Sequence, residues 1–451
     1  IGSMKGDAMT YIQEIIEKTI EETPGQEEFH QTLKEILPTL EPVFTKRSDY
    51  YRAGILERLV EPDRTMIFRV PWVDDEGQVQ VNRGYRVQYN DALGPYKGGI
   101  RFHPSVNLGI MKFLGFEQIF KNALTTLPLG GAKGGANFDP KGKSEGEIMR
   151  FCQSFTNELA YIIGADLDVP AGDIGVGTRE IGYMLGQYKK IRRGQPITAI
   201  TGKDVAAGGS LLRAQSTGFG VILFLMEMLA DNGEEIQGKK IAISGSGNVA
   251  LATLEKAVEH GAKVVAMSDS SGYVYAEEGL DVAAIKRIKQ IEKKPIEAYT
   301  EAKDGEYHEG SDGIWEVSVD IAIPCATQNE LEEKHTKALI ENGVNVVVEG
   351  ANMPCTPEAI ELLFDKGIHF GPAKAANAGG VATSGFEMTQ NSIRYSWTAQ
   401  EVEQRLTAVM KSIYQNCKSA AVEFESPKGI IGGANIAGFL KVGDAMMSHG
   451  V

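Results

Sequence analysis

Ile241-Ala242-Ile243-Ser244-Gly245-Ser246-Gly247-Asn248-Val249-Ala250 decides the architecture of this chain. An apolar run of strand length, from Lys240 to Ser244, leads into Gly-x-Gly-x-x-Ala, and a helical pattern follows to His260. Gly245 permits the tight turn, Gly247 lets a pyrophosphate approach the backbone, and Ala250 is small enough for close helix–strand contact. The helix N-terminus then offers N–H groups and a partial positive charge to phosphates. With a second strand at Val264 to Ser268, the turn reads as a dinucleotide site with Gly245, Gly247, Asn248 and Val249 as candidate contacts.

Strand and helix alternate on both sides of this turn. Gly208-Gly209-Ser210 is a hinge-like break, and a long helix is expected from about Leu211 to Ala230. Ile321-Ala322-Ile323, a helix around Leu331 to Ile340, and Val344 to Val348 come later. The alternation predicts a parallel, doubly wound sheet. The segment before it has another pattern. Ile12, Ile15, Ile16 and Ile20, then Phe29, Leu33, Ile36 and Leu37, recur at helical spacing. Thr65 to Val70, Gln78 to Val81 and Tyr85 to Tyr89 alternate as strands, and a helix is expected from Leu108 to Leu124. From about Gly385 the pattern returns to helices. The fold class is therefore α/β with two domains: an N-terminal α/β domain over 4–204, a Rossmann-like doubly wound domain over 205–380, and C-terminal helices over 381–451 that return to the first domain, leaving a cleft between the two. Ile1-Gly2-Ser3 ahead of Met4 reads as a cloning remnant.

Bulk properties narrow the function. Hydrophobic residues at 42% and charged residues at 24% of 451 are ordinary globular values. A formal net charge of -14 disfavours nucleic acid as a partner, so any basic site must be a local pocket. Cys152, Cys325, Cys355 and Cys417 form no paired motif, which argues against a disulfide framework and a zinc site; no metal is expected. No window approaches the length of a membrane span and no signal peptide is read, so a cytoplasmic protein is expected. The seven histidines form no triad-like group, and Cys325 reads as a small buried hydrophobe.

The local basic pocket is legible. Lys97 stands in Pro-Tyr-Lys-Gly-Gly and Lys133 in Gly-Gly-Ala-Lys-Gly-Gly, with Lys121 between them. Glycines allow an anion close approach to each lysine. Three converging cations call for balancing anions, and a small dicarboxylic acid supplies two. Gln118 and Lys121 are three apart and share one helix face; Lys97 and Lys121 can anchor the carboxylates as ammonium donors, with Gln118 as a neutral hydrogen-bond partner. Hydride removal from an amino acid gives an imine that water must attack. A lysine kept partly neutral by neighbouring cations, Lys133, can activate that water. Asp173, in Pro-Ala-Gly-Asp-Ile-Gly-Val-Gly, is the candidate acid for moving protons. The cofactor type is left open by the residues themselves. Asp269, about twenty residues after Gly247, suggests a ribose 2′-OH partner and NAD. The hydroxyls of Ser268, Ser270 and Ser271 with Lys286 or Arg287 could instead hold the 2′-phosphate of NADP.

At these residues the chain resembles the hexameric glutamate dehydrogenases of the bacterial and fungal short-subunit type. The segments that carry the resemblance are Pro95 to Pro104, Met111 to Lys121, Leu129 to Gly135, Pro170 to Gly177, Ser216 to Gly220, Cys325 to Glu330, Glu349 to Pro354, Ala375 to Val381 and Ser384 to Met388. The resemblance extends over essentially the whole chain after Met4. It implies that Lys97 and Ser384 hold the side-chain carboxylate, Lys121 and Gln118 the α-carboxylate, and the Gly172 backbone the substrate. Lys133 and Asp173 are then the catalytic pair. Thr217, Asn248, Ala326, Thr327, Asn352 and Asn377 are implied cofactor contacts. Lys97 with Ser384 favours L-glutamate and 2-oxoglutarate, with ammonium, over the apolar amino acids of related dehydrogenases. The Ser268-Asp-Ser-Ser-Gly272 run resembles the NADP-preferring branch, which serves ammonia assimilation, with NAD as the alternative. A homohexamer and a first domain that binds substrate and supports oligomerisation are implied in the same way. A dinucleotide sensor on a dead frame is the non-enzymatic alternative, but such a frame would be expected to lose Lys133 or Asp173.

Overall fold

Two β-sheets organise the chain, one in each of two units. The structure, a computed structural model, describes residues 2–194 and 196–451. One unit comprises Ile1–Leu211, Val381–Val402 and Ser419–Val451, and the other Leu212–Gly380 and Glu403–Lys418.

The first sheet is built from β1 (Arg64–Val73), β2 (Val79–Asn90), β3 (Tyr96–Phe102), β4 (Gly131–Ala136) and β5 (Asp168–Gly172), in the order β1-β2-β4-β3-β5. The β1–β2 hairpin is antiparallel, and Asp74 fixes its turn by accepting the N–H groups of Glu76 and Gln78. The two alternating runs expected at Gln78 to Val81 and Tyr85 to Tyr89 are one strand, because Asn82, Arg83 and Gly84 keep pairing with β1. β3 runs parallel to both β4 and β5 and lies between them. Helix Leu108–Leu124 starts at Asn107, whose side chain accepts the Ile110 N–H, and covers β4. It can lie close because a Cβ on Gly131 would sit 2.6 Å from Ile119 Cγ1, so only glycine fits there. On the other side, helix Glu145–Leu159 begins in a Ser144–Glu147 capping box and buries Phe151 and Phe155 against Phe102. The C-terminal helix Gly429–His449 packs on helix Leu108–Leu124, with Gly438 against the Phe120 backbone and Phe439 against Tyr50.

The second sheet holds β6 (Lys240–Ser244), β7 (Lys263–Ser268), β8 (Gly272–Tyr275), β9 (Glu306–Glu309), β10 (Ile321–Pro324), β11 (Val346–Val348) and β12 (His369–Gly371), in the order β12-β11-β10-β6-β7-β8-β9. The strands from β12 to β7 are parallel, while β8 and β9 are antiparallel additions at one edge. The order reverses at β6, so the glycine turn lies at the topological switch point, where such sheets bind ligands. The helix expected from Leu211 begins at Ser216, after a turn in which Leu212 has φ 62°.

Of the domain limits expected at 204/205 and 380/381, the first falls at 211/212, and the segment after 380/381 does not all belong with the first unit. The middle of helix Ala399–Glu423, Glu403–Lys418, belongs with the second unit rather than the first. Three contacts explain this. Lys256 pairs with Glu403, Tyr414 donates to Asp231 Oδ2 at 2.8 Å, and the Phe224 and Tyr414 rings meet edge-on at 5.4 Å. Among the described residues no helix is long and apolar enough to cross a membrane.

Candidate active site

Lys97 lies on β3 and Lys133 on β4. The glycines serve close backbone approach. A Cβ on Gly98 would lie 1.6 Å from Ala132 O, so no side chain fits between β3 and β4 there. At Gly99 a Cβ would meet Gly172 O at 2.7 Å, Asp173 Cβ at 3.0 Å and Lys133 Nζ at 3.3 Å. The missing side chain at Gly99 is thus the space in which Lys133 and Asp173 come together. Lys133 Nζ lies 3.2 Å from Asp173 Oδ1, and Arg101 Nε donates to Asp173 Oδ2 at 2.6 Å.

The electrostatics follow from this packing. Burial pushes the Lys133 ammonium down from its ordinary value; Asp173 opposes that and Arg101 and Arg86 add to it. Burial alone would raise the Asp173 carboxyl, but Lys133 and Arg101 outweigh it and hold the group below the usual carboxylate range. A lysine eased toward its neutral form beside an ionised acid is suited to proton transfer.

Lys97 is 1% exposed, and its Nζ donates to Val169 O at 2.9 Å and to Thr201 Oγ1 at 2.8 Å. Its backbone carbonyl accepts from Asn122 Nδ2 at 3.0 Å, and Asn122 Oδ1 accepts from Gln118 at 2.7 Å. Gln118 is therefore tied to the strand that carries Lys97, while Lys121 is one turn further along the same helix. Ser384 is buried on helix Gly379–Ile393. One turn on, Glu387 accepts the Gly202 N–H at 2.7 Å and pairs with buried Lys203 at 3.5 Å. Those contacts clamp the stretch that carries Thr201 to the helix that carries Ser384. Thr201, Arg101, Asn122 and Glu387 were not among the residues expected from sequence. Arg101 and Glu387 lie inside the quoted segments, four residues from Lys97 and three from Ser384, and Asn122 directly follows Lys121, whereas nothing in the Ile200-Thr-Gly-Lys203 run marks Thr201.

In the second unit the glycine turn has the expected form. Gly245 has φ 85°, a left-handed conformation that favours glycine, and nothing lies within 4 Å of a Cβ on Gly247. Asn248 and Val249 open the helix Asn248–Glu259. Gly218 brings helix Ser216–Asp231 onto that helix, since its Cβ would be 2.5 Å from Val249 O, and Thr217 rides beside it. Ala326 underlies Gly245, and Ala326 and Thr327 donate their N–H groups to Glu330. Asn377 donates to Asn352 Oδ1 at 2.8 Å, while Asn377 Oδ1 is buried with no hydrogen-bond partner among the described residues.

Three expected cofactor residues are placed differently. Ser268 is buried, and its hydroxyl accepts the Gly245 N–H at 3.0 Å, so it braces the turn. Lys286 pairs with Glu255 at 2.9 Å, and Arg287 pairs with Glu292. The lysine paired with Asp269 is Lys289, 2.8 Å from Oδ2. Asp269 also accepts from the Ile296 N–H and from the N–H and hydroxyl of Ser271. Burial would raise this carboxyl; the hydrogen bonds from Lys289 and Ser271 prevail and bring it to about 2. Ser270 is exposed alongside. Among the described residues no group of three or more His, Cys, Asp and Glu side chains is arranged to hold a metal ion.

Comparison with known proteins agrees with this geometry. Residues 62–190 match the family model "Glu/Leu/Phe/Val dehydrogenase, dimerisation domain", and residues 208–450 match "Glutamate/Leucine/Phenylalanine/Valine dehydrogenase". The NADP-specific glutamate dehydrogenase of Haemophilus influenzae is 55% identical over 94% of this chain and 95% of its own. The NAD(P)-specific glutamate dehydrogenase of Xylanibacter ruminicola is 52% identical over 97% of this chain and 99% of its own. The crystal structure of Plasmodium falciparum glutamate dehydrogenase superposes with a TM-score of 0.94 at 46% identity, covering 98% of this chain and 95% of that one. The chain belongs to the Glu/Leu/Phe/Val dehydrogenase family.

Proposed function

We propose that this chain catalyses the reversible oxidative deamination of L-glutamate: glutamate, NADP⁺ and water give 2-oxoglutarate, ammonium, NADPH and a proton. The observation that carries the reading is the meeting of Lys133 and Asp173 over Gly99, on the sheet that also buries Lys97. Lys97 and Ser384 hold the side-chain carboxylate, and Gln118 and Lys121 hold the α-carboxylate, with the Gly172 backbone beside them. That fixes the Cα–H and removes orientational freedom before reaction. Asp173 takes the proton from the substrate ammonium. Lys133 activates the water that adds to 2-iminoglutarate, and Asp173 returns a proton to the departing nitrogen, so ammonia leaves from the carbinolamine.

The second unit fits a nicotinamide dinucleotide. The space over Gly247 and the helix start at Asn248 suit the pyrophosphate, and the buried Asn377 Oδ1 can accept from a carboxamide N–H. Bound NADP supplies the hydride acceptor. Asp269 already receives four hydrogen bonds, about as many as a carboxylate has lone-pair sites, so it is ill suited to take a ribose 2′-OH as well. It instead holds Lys289, which with Ser270 is the 2′-phosphate contact in this reading. NAD remains the alternative cofactor. A cytoplasmic homohexamer acting in ammonia assimilation completes the proposal.

The test is the oxidative direction. Purified protein with L-glutamate and NADP⁺ should release ammonium, 2-oxoglutarate and NADPH in equal amounts. Tight NADPH binding without ammonium release would contradict the enzyme and favour a dinucleotide sensor.

A further inference from the structure

We infer that Arg101 is a positioning residue for the acid–amine pair: it binds one oxygen of Asp173, aims the other at Lys133, and denies Lys133 a full counterion. This deepens the reading above and rests on it. Lys97, Gly99 and Arg101 alternate along β3 and so share one face of the strand. Along that face stand the substrate anchor, the empty position where Lys133 meets Asp173, and the guanidinium that closes the gap. The Asp173 oxygens are divided between the two cations, Oδ2 to Arg101 at 2.6 Å and Oδ1 to Lys133 at 3.2 Å. The turn that carries Asp173 is stitched to the same strand. Phe102 donates its N–H to Ile174 O at 2.9 Å, and Gly175, at φ 75°, lies where a Cβ would be 2.1 Å from Phe102 O. Arg101 and Asp173 therefore have little freedom to part.

The other charges around Lys133 do not replace Arg101. Arg86, from β2, is fully buried and already paired with buried Asp168. Helix Leu108–Leu124 brings Gly115 against Lys133, and its Lys112 lies over the Phe29 ring. A guanidinium stays protonated at every pH at which an enzyme works, so its hold on Asp173 does not titrate. The arrangement keeps Asp173 ionised and ready to accept a proton while Lys133 is eased toward the amine.

The signs follow. In Arg101→Gln, Asp173 loses a cation, so its carboxyl rises. Lys133 loses a like charge and gains the whole of Asp173, so its ammonium rises as well. Both limbs of the pH profile of kcat/KM for reductive amination should move to higher pH. kcat should fall by about 100-fold, as for a catalytic group displaced by about 1 Å. KM for 2-oxoglutarate should change by no more than about threefold, since Arg101 does not anchor substrate. Arg101→Lys, which keeps the cation, should recover part of the rate with a pH profile near that of the wild type, and Arg101→Met carries the pH test if the glutamine variant does not fold.

The decisive comparison puts Arg101→Gln in an Asp173→Asn background. If Arg101 acts through Asp173, the second substitution adds little to the loss from the first. An unshifted pH profile, or losses that multiply, would overturn the inference and leave Arg101 a merely structural residue. Wild-type protein inactive on both glutamate and 2-oxoglutarate would overturn the function itself, and that control is read before any variant.

Discussion

The dinucleotide turn and the lysine pocket are both built on glycine, but glycine does different work in each. At Gly245 it permits a left-handed backbone in a turn, and at Gly247 it leaves space for a ligand. At Gly98, Gly99 and Gly131 it lets strands, a helix and two charged side chains approach where no side chain would fit. The turn is local: Gly245, Ser246 and Gly247 join β6 to the helix after it. The pocket draws on β3, β4, β5, two helices and the 200–204 stretch, and chain-distant Glu387 holds part of it in place. A local site should tolerate damage elsewhere, while an assembled one should fail when any of its struts is cut.

Asp173→Asn is the sharpest cut. It should lower kcat by about 10²- to 10⁴-fold, the usual range for general acid–base groups. Binding of 2-oxoglutarate, measured by calorimetry, should persist. A rate near that of the wild type would remove Asp173 from the mechanism. The strut beneath the pocket comes next. Arg86 and Asp168 form a fully buried pair, and Gln88 also donates to Asp168 at 3.0 Å. Asp168→Ala should lower stability by about 3–5 kcal/mol by leaving Arg86 uncompensated. A denaturant midpoint like that of the wild type would show that the pair does not hold the sheet.

Lys97→Leu probes specificity on the same strand. Losing a charged anchor should lower kcat/KM for 2-oxoglutarate by about 10- to 100-fold and leave apolar 2-oxo acids little affected. An unchanged preference would reject Lys97 as the side-chain anchor. In the turn, Gly245→Ala forces a Cβ into a left-handed backbone 3.0 Å from Ala326 Cα. It should destabilise the folded chain by about 1–2 kcal/mol and weaken NADPH binding, with the pH profile of the pocket unchanged. A shifted pH profile would show that turn and pocket are coupled. The smallest effect is expected at Lys289→Gln: about tenfold weaker NADPH binding, with NADH binding unchanged. Equal loss for both cofactors would return Asp269 to the ribose.

These differences set what was legible in the sequence. Residues on one helix or turn could be read from spacing. Helix Leu108–Leu124 runs between the expected limits, and Lys240 to Glu259 form the expected strand–turn–helix. Lys97, Lys133 and Asp173 stood out because glycines framed them, although those around the lysines serve close strand packing. Thr201 was illegible because a long-range contact with Lys97 alone makes it part of the pocket, and Glu387, although inside a quoted segment, owes its role to a long-range contact with Gly202. The ion pairs beside the cofactor strand were illegible for a related reason. Lys286, Arg287 and Lys289 are close in sequence, and only the packing of Glu255 and Glu292 shows which lysine is left to Asp269. The division of helix Ala399–Glu423 between two units was hidden likewise, since its pattern is helical throughout.

The central claim is that the pocket holds a dicarboxylate and works with NADP. The most direct measurement is steady-state reductive amination by the purified chain, with 2-oxoglutarate or an apolar 2-oxo acid, ammonium, and NADPH or NADH in parallel. The account predicts turnover with 2-oxoglutarate, faster with NADPH than with NADH, and little with the apolar acid. Preference for the apolar acid, or no turnover in any combination, would contradict it.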